Sequence, residues 1–325
     1  MTELTEQNFT LYENEQLISP DESHLVLLDR DVAALHKTLI LVDLSSAKDD
    51  GTRKKMARGV AGFVSHVRKG QAVTVYVFDG GADPKLIGDY PKGEAGPEDL
   101  TEIAGYKSVD PSRNLHGAVL AGLKELSARL MAEQKAVRIG TLVVLAAGPD
   151  LAGRATPEQM QQAVDTSGHQ VIAIGVGAEN AYDLSGLGKN GVMWAQALGG
   201  VGPTLDDAAS RVEALKSRFY LLSYCSPARA GKRMLRVEVV YNNTEGSERK
   251  GEFQLEFDAT GFGPGCDPNS PPHFGAAGSA EPAEGDKAGA KKTDDKKGDG
   301  KKGDGKKTDD IAPPPDKPGY APIPK

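Results

Sequence analysis

An α/β fold is predicted for this 325-residue chain: a doubly wound, Rossmann-like, mostly parallel sheet, joined by a small antiparallel β module built from both chain ends and a disordered C-terminal tail. Three observations predict it. Short continuous apolar runs alternate with helical periodicity between about residues 37 and 218, strands without intervening helices follow, and the last stretch is nearly devoid of apolar side chains. The expected division is 1–36 as an N-terminal β segment, 37–218 as the α/β domain, 219–266 as strands pairing with the first segment, and 267–325 as a low-complexity tail.

Phe9 to Tyr12 and His24 to Leu28 read as strands that need partners from elsewhere in the chain. Lys37 to Asp43 is apolar without alternation, the mark of a strand buried on both faces. Met56, Val60, Phe63, Val64 and Val67 recur at helical spacing up to Gly70, and Ala72 to Asp79 then forms a strand ended by Gly80 and Gly81. A long helix starts near Asn114, with Leu115, Val119, Leu123, Leu126 and Leu130 as its stripe, and Thr141 to Ala147 is another buried strand. Thr156-Pro157-Glu158-Gln159 sets a capping hydroxyl, a first-turn proline and a glutamine three residues after the cap, so a helix begins there. Gln170 to Val176 and Gly191 to Gln196 are the last strands of this rhythm, and Thr204 is expected to cap the helix running toward Arg218. Phe219 to Cys225, Met234 to Tyr241 and Glu252 to Phe257 have no helices between them and should pair antiparallel.

Composition removes several function classes. A formal charge of -7 and a pI near 5.5, with no clustered basic face, argue against nucleic acid as a partner. No apolar run is long enough to span a membrane, and the start MTELTEQNF carries no export signal as written. Beyond about Pro271 the chain turns to Gly, Ala, Pro, Lys and Asp, with near-repeats of Lys-Lys-Gly-Asp-Gly, too polar to offset the entropy of ordering. That tail reads as a solvated spacer or a docking segment. Cys225 and Cys266, the two cysteines, lack CxxC spacing and are either two thiols or one disulfide.

In an open α/β sheet the site lies beyond the carboxyl ends of the strands. Three loops gather there: Asp43-Leu44-Ser45-Ser46-Ala47, Pro111-Ser112-Arg113-Asn114-Leu115 and Ala146-Ala147-Gly148-Pro149-Asp150. No phosphate-binding glycine motif accompanies them, the six histidines are scattered, and Ser45 and Ser46 have no assignable base.

The succession LILVDLSSA, VTVYVFDGG, SRNLHGAVLAGL, TLVVLAAGPDLAG and VIAIGVG resembles the von Willebrand factor type A domain. The resemblance implies a doubly wound fold whose top carries a metal-ion-dependent adhesion site, where an Asp-x-Ser-x-Ser loop, a threonine and a further aspartate hold magnesium or a similar ion. Asp43 and Ser45 match that pattern, but Ala47, Arg113 and Ala147 stand where the family has a serine, the threonine and the second aspartate. A guanidinium beside the metal position would repel a dication and could pair with Asp43 instead. Ser112 and Asp150 are the substitute donors to consider. The N-terminal LTEQNFTLYEN and FYLLSYCSP resemble segments that flank type A domains in bacterial envelope proteins, many of them lipoproteins.

The function these readings imply is a non-enzymatic, protein-binding type A module for adhesion or scaffolding, with a degenerate metal site and no cofactor. Asp43, Ser45, Ser46, Ser112, Arg113 and Asp150 would form the partner-binding loops. The implied location is a bacterial cell envelope, periplasmic or outer surface, if a signal has been trimmed, and otherwise the cytoplasm; a lipid anchor would belong to a longer precursor. Two alternatives are an adhesin using magnesium on Asp43 and Ser45, and a metal-dependent hydrolase.

Overall fold

The computed structural model describes residues 4–262 apart from 29, 30, 32, 33, 134, 136, 218 and 243–245. The tail assigned to 267–325 lies outside the described residues. In chain order the elements are β1 (Phe9–Glu13), β2 (Gln16–Leu17), the one-turn α1 (Pro20–Ser23), β3 (Val26–Leu28), β4 (Ala34–Asp43), α2 (Asp50–Val67), β5 (Ala72–Phe78), β6 (Lys85–Tyr90), the one-turn α3 (Thr101–Ala104), α4 (Leu115–Met131), β7 (Val137–Ala146), α5 (Pro157–Thr166), β8 (Gln170–Val176), β9 (Val192–Ala195), α6 (Val201–Lys216), β10 (Leu221–Ser223), β11 (Lys232–Asn242) and β12 (Glu248–Asp258).

The main sheet has six strands in the order β6-β5-β4-β7-β8-β9, all parallel except β6, which runs antiparallel to β5 at the edge. This is the doubly wound arrangement that alternating strands and helices require. The continuous hydrophobicity of β4 has a direct cause. Leu39 and Leu41 join the core under α4 and α5, whereas Ile40 and Val42 join the core under α2 and α6, so every residue of the run is buried on one side or the other. Chain direction diverges between β4, which leads to a helix on one face, and β7, which leads to one on the other. A crevice opens at their carboxyl ends, where Asp43 ends β4 and Ala146 ends β7.

The helix starts follow local chemistry. Asn114 caps α4 by accepting from the Gly117 amide at 3.2 Å, and Thr156 and Gln159 form a reciprocal capping box on α5. Two expectations need correcting. The last helix of the domain starts at Val201, ahead of Thr204; Pro203 fits inside its first turn because the N–H it lacks would have no helical acceptor there. His24 belongs to the left-handed end of α1, with φ of 46°, so the second N-terminal strand starts only at Val26.

Both chain ends build the β module. β1 lies between β11 and β2 in a four-stranded sheet, β12-β11-β1-β2, while β10 pairs with β3 in a second, two-stranded one. Leu11 is the buried centre of β1, opposite Val237, and Phe9 packs against Tyr220 with ring centroids 6.1 Å apart. The Tyr224 hydroxyl donates to buried Glu13 at 3.0 Å; burial and then that carboxylate push the phenol well above its ordinary value. Among the described residues no helix is long and apolar enough to cross a membrane.

Candidate functional site at the carboxyl end of the sheet

Asp43 is wholly buried at the end of β4 and uses both carboxylate oxygens. Oδ1 accepts from the Ser45 amide at 2.9 Å and the Ser45 hydroxyl at 2.6 Å; Oδ2 accepts from the Ala147 amide at 2.8 Å and from Nε of Arg113. The aspartate therefore closes a local turn onto Ser45, two residues on, and ties that loop to the loop after β7 through the long-range bond from the Ala147 amide.

Arg113 reaches into the same crevice from the residue before the cap of α4. It is buried, forms an ion pair with Asp43, donates through Nη2 to the Ser46 hydroxyl at 2.6 Å and through Nη1 to the Pro149 carbonyl at 3.0 Å. The planar fork thus bridges all three loops, which a flexible ammonium could not do with the same geometry. Gly148 makes room for it: a Cβ there would stand 2.5 Å from Nη1. The two backbone N–H groups of Leu151 and Ala152 donate to the Arg113 carbonyl at 2.9 and 3.0 Å, so its backbone is held as well as its side chain.

The remaining residues singled out from the sequence have definite tasks. Ser45 is buried, and its hydroxyl is spent on Asp43. Ser112 donates to Asp110 from its amide at 2.9 Å and its hydroxyl at 2.7 Å, next to the crevice. Asp150 faces the first turn of α4, accepting from the His116 amide at 2.9 Å and, through its other oxygen, from the Gly153 amide at 2.8 Å. Ala47 is part of the apolar core on the α2 side. Below the crevice the Tyr182 hydroxyl donates to the Ala146 carbonyl at 2.5 Å and accepts from the Val176 amide at 2.8 Å, fastening the ends of β7 and β8 together.

A divalent ion suits this donor set poorly. An ion on Asp43 would have to displace the guanidinium or share a low-dielectric crevice with it, and like charges a few ångströms apart repel strongly there. Ala47 and Ala147 supply no side-chain oxygen. Among the described residues no group of three or more His, Cys, Asp or Glu is placed to hold a metal.

One cluster escaped sequence reasoning. Asp79, just after β5, is 4% exposed and accepts four hydrogen bonds: from the amides of Gly81 and Val109 at 2.8 and 2.9 Å, the Ser108 hydroxyl at 3.0 Å and the Tyr106 hydroxyl at 3.1 Å. Burial pushes its carboxyl up, but the four donors together outweigh burial and hold it below the usual carboxylate range. Burial, followed by the same carboxylate, raises Tyr106 to about 12. The cluster pins the loop before α4 to the end of β5. It leaves Val109, at 86% exposure, projecting from that loop, as Leu151, at 66%, projects from the loop after β7.

The disulfide expectation falls partly outside the described residues. They contain no free cysteine, Cys225 being bonded, and Cys266 is not among them.

No protein-family model matches the chain, and no curated protein matches it. Solved structures do. Proximal thread matrix protein 1 from the mussel byssus is 16% identical with a TM-score of 0.39, the alignment covering 62% of this chain and 49% of that one. The manganese-loaded Plasmodium vivax TRAP protein is 10% identical with a TM-score of 0.39, over 73% of this chain and 98% of that one. The VWA domain of SpRpn10 is 10% identical with a TM-score of 0.36, over 53% and 95%. This chain spans about half the length of the mussel protein it matches.

Proposed function

We propose that this chain is a non-enzymatic, protein-binding type A-like module for adhesion or scaffolding, in which Arg113 takes the place a divalent cation has in metal-dependent relatives of that fold. The observation that carries the proposal is the guanidinium bonded to Asp43, Ser46 and the Pro149 carbonyl at once. It supplies a fixed positive charge where the three loops meet, without recruiting an ion from solution. Partner contact then falls to the surface those loops present, with Ser46, Ser112 and the projecting Val109 and Leu151 around the buried arginine. Catalysis has little to work with, because the Ser45 hydroxyl is donated to a carboxylate whose oxygens are already shared with backbone amides and the arginine.

The setting that suits such a module is a bacterial cell envelope. Supporting it are the likeness of the flanking segments to envelope proteins and the bonded state of Cys225, for which Cys266 is the one other cysteine in the sequence. Magnesium titration followed by thermal melting tests the central part: the melting temperature stays the same with the ion or with a chelator. A rise with magnesium that disappears in Asp43→Ala would instead establish a cation-dependent adhesin.

A further inference from the structure

The four-stranded sheet of the β module ends, among the described residues, on its longest kind of strand. β12 pairs with β11 through eleven consecutive residues, Lys232↔Asp258 to Asn242↔Glu248, with no register shift. A bulge and a proline, two of the devices that blunt natural edge strands, are absent from β12, and the charged side chains on one of its faces are the protection that remains. Its apolar side also continues past the covered part of the sheet. On that face Leu11 in β1 is 3% exposed, whereas Phe253 and Leu255 in β12, opposite Val237 and Leu235, are 57% and 50% exposed. The other face of β12 carries Glu248, Lys250, Glu252, Gln254, Glu256 and Asp258.

We propose that β12 pairs edge to edge with β12 of a second copy of this chain, antiparallel and about a twofold axis at Phe253, to make one continuous sheet across a dimer. Only this register overlaps the whole strand, and its cross-strand pairs are self-complementary. It sets Lys250 opposite the Glu256 position of the other copy, Glu252 opposite Gln254, Gly251 opposite Leu255, Arg249 opposite Phe257, and Phe253 opposite itself. Symmetry repeats each unlike pair twice, as an isologous contact requires. The opposite charges of Lys250 and Glu256 therefore meet at two places, and the exposed Phe253 and Leu255 gain apolar neighbours. Like charges face each other only where Glu248 meets Asp258, at the strand ends. Moving the twofold axis by one residue shortens the overlap and brings like charges inside the strand: with it at Gln254, Glu252 meets Glu256, though Lys250 then meets Asp258, and with it at Glu252, that residue meets itself and Glu248 meets Glu256. Full overlap of the strand, with its like charges confined to the two ends, therefore favours the axis at Phe253.

Sedimentation velocity of the full chain over a concentration series, joined to amide exchange at β12, tests this. The expected result is a monomer–dimer equilibrium in which β12 amides gain protection with concentration. Lys250→Glu should weaken the dimer about tenfold or more, by exchanging two attractive cross-strand pairs for repulsive ones, and Lys250→Glu with Glu256→Lys should restore it. Both substitutions lie on the exposed face of the strand, and an unchanged melting temperature verifies that each variant folds. A dimer indifferent to Lys250→Glu would place the interface elsewhere and overturn the proposal. So would a monomer at every concentration; protected β12 amides in that monomer would mean that the chain's own tail covers the edge, and fast exchange would mean that the edge stays open.

Discussion

At the scale of single residues, the site is organised by one buried ion pair. Arg113 and Asp43 are both removed from water, and each satisfies the other while also bonding its neighbours, the condition under which a buried pair is tolerated. Removing one partner leaves a buried charge. Arg113→Ala is accordingly expected to cost about 3–5 kcal/mol in chemical denaturation, since the three donors left on Asp43 do not neutralise it. Asp79 gives a pH prediction whose sign follows from its lowered pKa. Its folded value lies below the ordinary 3.8, so its stabilising contribution is complete at neutral pH and is lost as the pH falls below about 4 and through the folded value. Stability measured between pH 5 and pH 2 should therefore fall less steeply in Asp79→Asn than in the unmodified chain. The two aspartates differ in how far they can be read from sequence. Asp43 and its arginine stand within short, patterned loops that flank strong strands. Three of the four donors to Asp79 come from Tyr106, Ser108 and Val109, in an irregular loop where no periodicity points back to β5.

At the scale of elements, the N-terminus of α4 is where most of the site's geometry is decided. Asn114 caps it and also donates to the Gly81 and Ala82 carbonyls at 2.9 and 3.2 Å, tying the helix to the β5 loop; Asp150 sits against its first turn. A carboxylate there is favoured by the unpaired amides and the positive end of the helix dipole. Asp150→Ala should cost about 1–2 kcal/mol in thermal or chemical unfolding, while leaving the response to magnesium as it was, because the side chain serves the helix. The long helices α2 and α4 were legible because their apolar stripes keep a 3.6-residue period, and the start of α5 because its capping box is chemically explicit. β6, α1 and α3 were not. β6 is a mixed Lys-Leu-Ile-Gly-Asp-Tyr run with a glycine at its middle and a register shift beside Val75, and the other two are single turns too short to show a period.

At the scale of the whole molecule, the parallel sheet could be read from its two-sided strands, but the β module could be read only as a need for partners. Which strand meets which is set by packing at long range: β1 is placed between β11 and β2 by Leu11 and Phe9, whose alternation fits several neighbours equally well when seen alone. The same holds for the crevice, whose crossing point between β4 and β7 follows from the winding of the sheet, with Arg113 delivered there by the helix that precedes β7. The account stands on that arginine taking the cation's place. Crystals of the full chain soaked in manganese, measured at an energy where the ion scatters anomalously, test it most directly. The account predicts density for the Arg113 guanidinium against Asp43 and no manganese peak within bonding distance of the carboxylate; an ion coordinated by Asp43 and Ser45, with the arginine turned away, would contradict it.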